Sequence, residues 1–214
     1  MGVLQEREAA RRWFDLLAPG YDAVVPSLFW PDAIQQSAID RLDLESAERA
    51  LDVGCGTGET TRHLEPDVPS VHGLDLSVPQ LETAAGKADL EDVSFVCGDV
   101  DRLPYADGTF DVVVSVGSIL YWDDPLEALR ELRRVTKPGG EVLVMGFNRR
   151  PFSPWNPARN VQEWLNATCF FRYDPEEGTR LFREAGWTDV DHAVTGPVWG
   201  PDLVIATTAR ADRP

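Results

Sequence analysis

Basic residues are scarce in this chain of 214 residues. Its 20 Lys and Arg stand against 36 Asp and Glu, which gives a formal net charge of -16. Because phosphate backbones attract Lys and Arg, this balance argues against nucleic acid as a partner. Lys87 and Lys137 are the only lysines. We expect a halophilic protein, since salt screens the repulsion between carboxylates; a genome that prefers Arg codons is the alternative.

Cysteines and long apolar runs are also few. Cys55, Cys97 and Cys169 lie far apart and show no metal-ligand spacing, so we expect neither a disulfide framework nor a metal site. The first ten residues lack the apolar core of a signal peptide. The longest apolar stretch, residues 110–122, is shorter than the roughly 20 residues that span a bilayer. These absences predict a cytoplasmic protein without an integral membrane segment.

From residue 50 onward, short apolar runs alternate with helical segments. Candidate strands lie at 50–53, 71–74, 93–96, 110–116 and 141–147, with helices near 59–64, 79–87 and 125–135. Apolar runs without polar alternation suit buried parallel strands, and the helices supply the crossovers. Two later strands, near 188–194 and 203–208, are joined by a short connection that favours an antiparallel edge hairpin. The prediction is α/β, a doubly wound and mostly parallel sheet.

The sequence also contains clear signals for helices before and among these strands. Apolar residues at helical spacing predict a first helix that ends near residues 19–20, and a second helix begins at Pro31. Asp124 and Asp174 each precede a proline and, three positions on, a glutamate, which is a strong helix start. We expect the two N-terminal helices to form a cap on a single domain.

Three alternating glycines, Gly54, Gly56 and Gly58, end the first candidate strand. Glycine allows tight turns and close backbone approach, and a following helix offers free N–H groups. Asp75, after the second strand, can accept hydrogen bonds from both hydroxyls of a ribose, and Asp99, after the third, can accept one from an adenine amino group. The Gly-x-Gly-x-x-Gly spacing of dinucleotide sites is missing. A turn that merely needs glycine is the alternative.

Four motifs in register resemble the class I S-adenosylmethionine-dependent methyltransferases: residues 51–58, 73–77, 98–111 and 137–140. The resemblance implies a Rossmann-like sheet of seven strands and S-adenosylmethionine as cofactor, with S-adenosylhomocysteine as product and no metal. It places the methionine end on the glycine loop, the ribose on Asp75 and the adenine on Asp99, and it makes residues 137–140 structural. The expected cofactor-binding residues are Tyr21, Asp52, Gly54, Cys55, Gly56, Gly58, Asp75, Leu76, Gln80, Asp99, Val100 and Ser115.

A narrower resemblance covers the second half. Residues 115–125, 170–177 and 196–199, with Phe152 and Trp155, are similar to the plastoquinone and tocopherol-pathway ring methyltransferases, and residues 14–22 look like the start of the ubiquinone and menaquinone C-methyltransferases. The chain departs from these relatives at Gln80 and in the basic stretch 147–150. The implied acceptor is a ring carbon of a quinol such as demethylmenaquinol. The expected substrate-binding residues are Trp13, Ser118, Tyr121, Trp122, Phe152 and Trp155.

Carbon methylation needs a deprotonated phenol, whose pKa lies near 10 as in Tyr. Asp22 and Tyr121 are the candidate catalytic residues for this step. We expect one domain over 1–214, with a cap at 1–46, a cofactor-binding core at 47–148 and an acceptor-side segment with the hairpin at 149–214. The sequence leaves open a monomer or a homodimer and a transient contact with a membrane surface.

Three other functions remain in view. The first is methyl transfer to oxygen or nitrogen of another small metabolite, because aromatic linings do not distinguish acceptor atoms. The second is a nicotinamide-dependent oxidoreductase, which the glycine spacing disfavours. The third is a catalytically silent partner that binds S-adenosylmethionine.

Overall fold

The computed structural model of the chain describes residues 12, 15, 30–197 and 199–212. One sheet runs through this part of the chain. Its strands are β1 (Arg49–Val53), β2 (Ser70–Asp75), β3 (Ser94–Cys97), β4 (Phe110–Val116), β5 (Thr136–Asn148), β6 (Arg172–Tyr173), β7 (Trp187–Thr195) and β8 (Val204–Ala211). The spatial order is β3-β2-β1-β4-β5-β8-β7, and β6 pairs with β5 outside this path.

The strand directions confirm the predicted sheet. Strands β1 to β5 pair in parallel, whereas β8 runs antiparallel to both β5 and β7. The hairpin therefore closes one side of the sheet, with β7 at the edge and β8 inside. Strand β6 makes eight strands where the family resemblance implies seven. It is only two residues long and pairs Phe147 with Arg172, which is too short to leave an alternating pattern in the sequence.

Five α-helices accompany the described strands: α1 (Asp32–Ile39), α2 (Val78–Ala85), α3 (Pro125–Val135), α4 (Pro157–Cys169) and α5 (Pro175–Glu184). The side chain of Asp124 accepts from the backbone N–H groups of Leu126 and Glu127, and that of Asp174 accepts from the N–H of Glu177. These are the helix starts that the Asp-Pro pairs predict. Helix α4 has no counterpart among the sequence predictions.

The prediction of a helix near residues 59–64 is wrong. The structure has only a 3-10 turn there, Thr61–His63, followed by further turns. Pro66 and Pro69 lack an N–H group, so neither can donate an α-helical hydrogen bond to the carbonyl four residues earlier, and a helix cannot extend through this short crossover. The glycine loop therefore leads into a tight turn instead of a regular helix.

Both faces of the sheet are buried. In β4, Val113 packs with α3 and α5 on one face, whereas Val112 and Val114 pack with α1 on the other. Helix α1 follows Pro31 as predicted and buries its apolar side. The predicted first helix lies outside the described residues. None of the helices in the described part of the chain is long and apolar enough to cross a membrane.

Candidate functional site

A cleft opens at the carboxyl ends of the parallel strands. Counted out to the solvent, it encloses about 680 Å³. It is lined by residues that follow β1, β2, β3 and β4, and such ends meet at one edge of a parallel sheet. The lining residues are Val53, Gly54, Leu74, Asp75, Leu76, Ser77, Gly98, Asp99, Val100, Asp101, Ser118, Tyr121, Trp122 and Asp123.

The three glycines of the loop serve different purposes. All have positive φ angles, +74°, +54° and +85°, a region that side chains disfavour. A Cβ at Gly54 would come within 2.3 Å of Ser118 Cβ, and one at Gly58 within 2.4 Å of Leu90 Cδ1. These two glycines are needed for packing. At Gly56 a Cβ would make only ordinary contact with Gln80 Oε1, 3.7 Å away, so packing does not require this glycine.

Asp75 links the end of β2 to the glycine loop. Its Oδ2 accepts a hydrogen bond of 2.8 Å from the N–H of Gly56, and its Oδ1 accepts one of 2.8 Å from the N–H of Ser77. Burial raises the pKa of this carboxyl above its usual value, against the effect of the backbone hydrogen bonds. A carboxylate has about four acceptor positions, so two remain for a ligand. At the same place, Ser77 Oγ donates to Asp15 Oδ1 over 2.6 Å.

Asp52 lies fully buried under the loop. Thr61 Oγ1 donates to its Oδ2 over 2.7 Å, whereas its Oδ1 has no hydrogen-bond partner in the described part of the chain. Burial raises its pKa to about 7, and the charge of Asp75 adds to the shift. The neighbouring Cys55 is buried too, and burial raises the pKa of its thiol well above the ordinary value. A thiol held in its neutral form is a poor nucleophile.

The charge of the cleft is negative. Four carboxyl groups line it, those of Asp75, Asp99, Asp101 and Asp123, and none of the described lining residues is basic. Such a surface attracts a cationic ligand and repels an anionic one. The diphosphate of a nicotinamide dinucleotide would therefore meet the wrong charge here. Among the described residues, no group of His, Cys, Asp and Glu could hold a metal ion.

Aromatic side chains form one wall of the cleft. Tyr121 and Trp122 follow β4 in a 3-10 turn, and Trp122 Nε1 donates to Ser118 Oγ over 3.2 Å. Ser118 Oγ also donates to the carbonyl of Val53 and shares a 2.6 Å hydrogen bond with Ser115 Oγ. These bonds fix Trp122 beside the glycine loop. They place Ser115 behind the wall, where it positions Ser118.

The remaining predicted residues fall into three groups. Gln80 is buried in α2 close to Gly56, and Leu76 and Val100 line the cleft as expected. Phe152 and Trp155 are exposed and do not line the cleft. Trp13, Tyr21 and Asp22 lie outside the described residues.

The sequence analysis missed two of the four cleft carboxylates. Asp101 lies two positions after Asp99, and Asp123 directly precedes the helix-capping Asp124. Their signal was available, since both stand in the segments that follow β3 and β4. Asp101 and Asp123 were not predicted, because the family motif at 98–111 and the helix start at 124–127 explained these segments without them.

The comparisons with known proteins agree with this geometry. Residues 51–144 match the protein family described as a methyltransferase domain. This match and the relatives below support the resemblance to the class I S-adenosylmethionine-dependent methyltransferases that the four sequence motifs indicated.

Two relatives and one solved structure illustrate the match. The chain is 33% identical over 201 residues to 2-methyl-6-phytyl-1,4-hydroquinone methyltransferase 2 of Oryza sativa, covering 92% of this chain and 55% of the relative. It is 35% identical over 144 residues to the demethylmenaquinone methyltransferase of Beutenbergia cavernae, covering 66% and 59%. It therefore spans less than two thirds of either curated relative. A chain in the complex of a methyltransferase with the Haloferax volcanii Trm112 methyltransferase activator superposes with a TM-score of 0.73 at 25% identity, covering 94% and 98%.

The residues of the cleft fit S-adenosylmethionine. Glycine at position 54, whose backbone lines the cleft, allows close approach to the chain, and Asp75 keeps acceptor capacity for ribose hydroxyls. Asp99 lies beyond Asp75 along the same edge, where an adenine amino group can donate. The negative cleft suits a sulfonium cation. The chain thus has a group suited to each part of this cofactor.

Proposed function

We propose that this chain transfers a methyl group from S-adenosylmethionine to a ring carbon of a quinol such as demethylmenaquinol. The single observation that carries the proposal is the composition of the cleft, which joins a row of carboxylates to a wall made by Tyr121 and Trp122. The acidic side suits the cofactor, and the aromatic side suits a flat apolar ring. The match to the hydroquinone methyltransferase of Oryza sativa extends over 92% of this chain and so includes the acceptor half.

Binding of the cofactor would use residues from all the strand ends. The glycine loop and Asp52 would face the methionine end, Asp75 with Leu76 the ribose, and Asp99 with Val100 and Gln80 the adenine. When bound, the cofactor supplies a methyl group that its sulfonium charge has already activated. The chain then contributes positioning and the exclusion of water, for which a rigid wall such as the Ser118–Trp122 pair is suited.

The phenol proton of the acceptor needs a destination. Tyr121 lines the cleft and keeps its place as a candidate catalytic residue, and we add the carboxylate of Asp123, which lines the same wall. A carboxylate within hydrogen-bond reach of the ring hydroxyl would take its proton as the ring carbon bonds to the methyl group and the methyl–sulfur bond breaks. The methylated ring carbon would then lose its own proton, which restores the aromatic hydroxyl form of the ring. Asp123→Asn should then lower kcat while the affinity for S-adenosylhomocysteine stays unchanged. A change in affinity alone would remove Asp123 from this role.

The decisive experiment has two steps. Calorimetric titration with S-adenosylhomocysteine, at low and at multimolar KCl and with NADH as the control ligand, tests the cofactor. Incubation with labelled S-adenosylmethionine and demethylated quinols, followed by mapping of the product, tests the acceptor. A label on a ring carbon supports the proposal, whereas a label on oxygen or nitrogen rejects carbon transfer. Binding of NADH without S-adenosylhomocysteine would reject the whole assignment.

The proposed organisation of the chain follows the same lines. Residues 47–148 would be the cofactor-binding core, 1–46 the cap and 149–214 the acceptor side with the hairpin. The hydrogen bond between Asp15 and Ser77 supports a position of the cap at the mouth of the cleft. Trp13, Tyr21 and Asp22 remain candidates for ligand contact.

A further inference from the structure

Helix α4 is amphipathic with its polar side turned inward. Its buried residue is Glu163, whereas Trp164 is 67% exposed, and Val161 and Leu165 are also exposed. A helix on a globular domain normally buries its apolar stripe and presents its polar side to water. Here the order is reversed, so the exposed apolar stripe must serve a purpose other than the core of this domain.

A charged cluster explains why the polar side faces inward. Arg150 Nε donates to Glu163 Oε1 over 2.6 Å, and Arg150 Nη1 donates to Asp202 over 2.9 Å. Arg172 pairs with the other oxygen of Glu163, and Gln162 accepts from Arg150 Nη2. The guanidinium of Arg150 is almost fully buried. A buried charge needs such partners, and they orient α4 against the sheet.

The loop before α4 carries two more exposed aromatic side chains. Phe152 is 77% and Trp155 92% exposed. Between them, Ser153 is held by Asn160, which accepts from its N–H over 2.9 Å and donates to its carbonyl over 2.7 Å. The loop is thus tied to α4 while its two aromatic rings point outward. We call Phe152, Trp155, Val161, Trp164 and Leu165 the α4 face.

We propose that the α4 face docks the enzyme on a lipid bilayer surface, next to the entrance for an acceptor that resides in the lipid. Large aromatic side chains, Trp above all, prefer the boundary between headgroups and hydrocarbon. Contiguous exposed apolar patches are rare on soluble monomers and mark contact with a protein or a membrane. The proposal rests on the proposed quinol acceptor only for its purpose, since docking itself needs neither cofactor nor acceptor.

The charge near the α4 face suits contact with a bilayer better than the charge of the whole chain does. The chain carries 36 acidic residues, which anionic headgroups would repel. Between residues 149 and 173, however, Glu163 is the only acidic residue, and it is buried between two arginines. This stretch therefore presents no exposed carboxylate to a membrane.

The α4 face is connected to the cleft. Phe170 directly follows α4 and packs edge-on against Tyr121, with ring centroids 5.6 Å apart. Tyr121 in turn lines the cleft. An apolar acceptor that leaves the bilayer beside α4 would therefore meet an aromatic wall on its way to the cofactor side.

The test is co-sedimentation of the full chain with sucrose-loaded phosphatidylcholine vesicles at 0.15 M and 1 M KCl. We expect binding at both salt concentrations, because burial of apolar surface is not screened. The double variant Trp155→Ala/Trp164→Ala should lower the partition coefficient at least about tenfold. Val161→Glu should lower it too. Val194→Glu changes an exposed valine on β7 and serves as the matched control, for which binding should stay unchanged.

Other outcomes overturn the proposal. They are the absence of binding by the parent protein, equal loss in Val161→Glu and Val194→Glu, and binding that appears only with phosphatidylglycerol and vanishes at 1 M KCl. A dimer in analytical ultracentrifugation that Val161→Glu dissociates would assign the α4 face to a second copy of the chain. Titration with S-adenosylhomocysteine, run on each variant, shows that the cleft is intact. Because vesicle binding needs no cofactor, its result is independent of the proposed activity.

Discussion

Replacement of Asp75 should affect both stability and ligand affinity. The carboxylate accepts from two backbone N–H groups, those of Gly56 and Ser77, each over 2.8 Å. Asp75→Ala leaves both donors without this acceptor, and a buried donor without a partner costs about 1 to 3 kcal/mol. Part of that loss is offset, because the variant no longer buries a carboxylate whose pKa burial raises. We therefore expect the free energy of unfolding to fall by about 2 to 4 kcal/mol.

Asp75→Asn is the sharper variant because it preserves the shape. Its amide oxygen can accept from one of the two N–H groups, but its NH2 then faces the other donor. A group that only supplied hydrogen bonds to the ribose would tolerate this change in the free protein. Asp75 also supports the backbone, so Asp75→Asn should lower the free energy of unfolding by about 1 to 3 kcal/mol. We also expect at least about tenfold weaker binding of S-adenosylhomocysteine.

Asp99→Asn is the matched control in the same cleft. Its carboxylate accepts from the N–H of Asp101 at an exposed position, so the change should leave stability within about 0.5 kcal/mol of the parent. Urea denaturation followed by circular dichroism measures stability, and calorimetry measures affinity under folding conditions. An unchanged urea midpoint for Asp75→Asn would refute the role of the two amide bonds. Unchanged affinity would remove Asp75 from the ligand site.

Three further predictions concern stability. Gly54→Ala should destabilise the protein by more than Gly186→Ala in thermal denaturation, because both have positive φ but only Gly54 would also clash with a neighbouring side chain; equal losses would contradict the clash. Glu163→Gln should lower the free energy of unfolding by about 3 kcal/mol in urea titration, because it removes a charged partner of the buried Arg150. Glu127→Gln, in an exposed ion pair, should lower it by less than about 1 kcal/mol. The folded-state pKa of Asp52 is raised from 3.8 to about 7, so its contribution to stability is full below pH 3.8 and is lost as pH rises through 7. Asp52→Asn should remove this loss, which is on the order of 4 kcal/mol at most. The check is the denaturation midpoint of both proteins from pH 4 to 8. Two midpoint curves that run parallel over this range would contradict the prediction.

Much of the fold could be predicted from the sequence because its signals are local. Apolar runs gave the strands β1 to β5 and the edge hairpin, and the pairs Asp124-Pro125 and Asp174-Pro175 gave two helix starts. Helix α4 was not predicted, because its apolar stripe faces outward and its buried residue is the polar Glu163. The turn after the glycine loop was read as a helix because the missing N–H groups of two prolines were not weighed.

The sequence by itself determined where strands β1 to β5 lie along the chain, the glycine loop, and Asp75 and Asp99 at the strand ends. Each of these depends on neighbours within a few residues. Only the tertiary structure showed that Asp101 and Asp123 reach the same cleft as Asp75. It also decided the orientation of α4. Periodicity shows that two faces of a helix differ, but partners distant in the chain, here Arg150 and its ion pairs with Glu163 and Asp202, decide which face is buried.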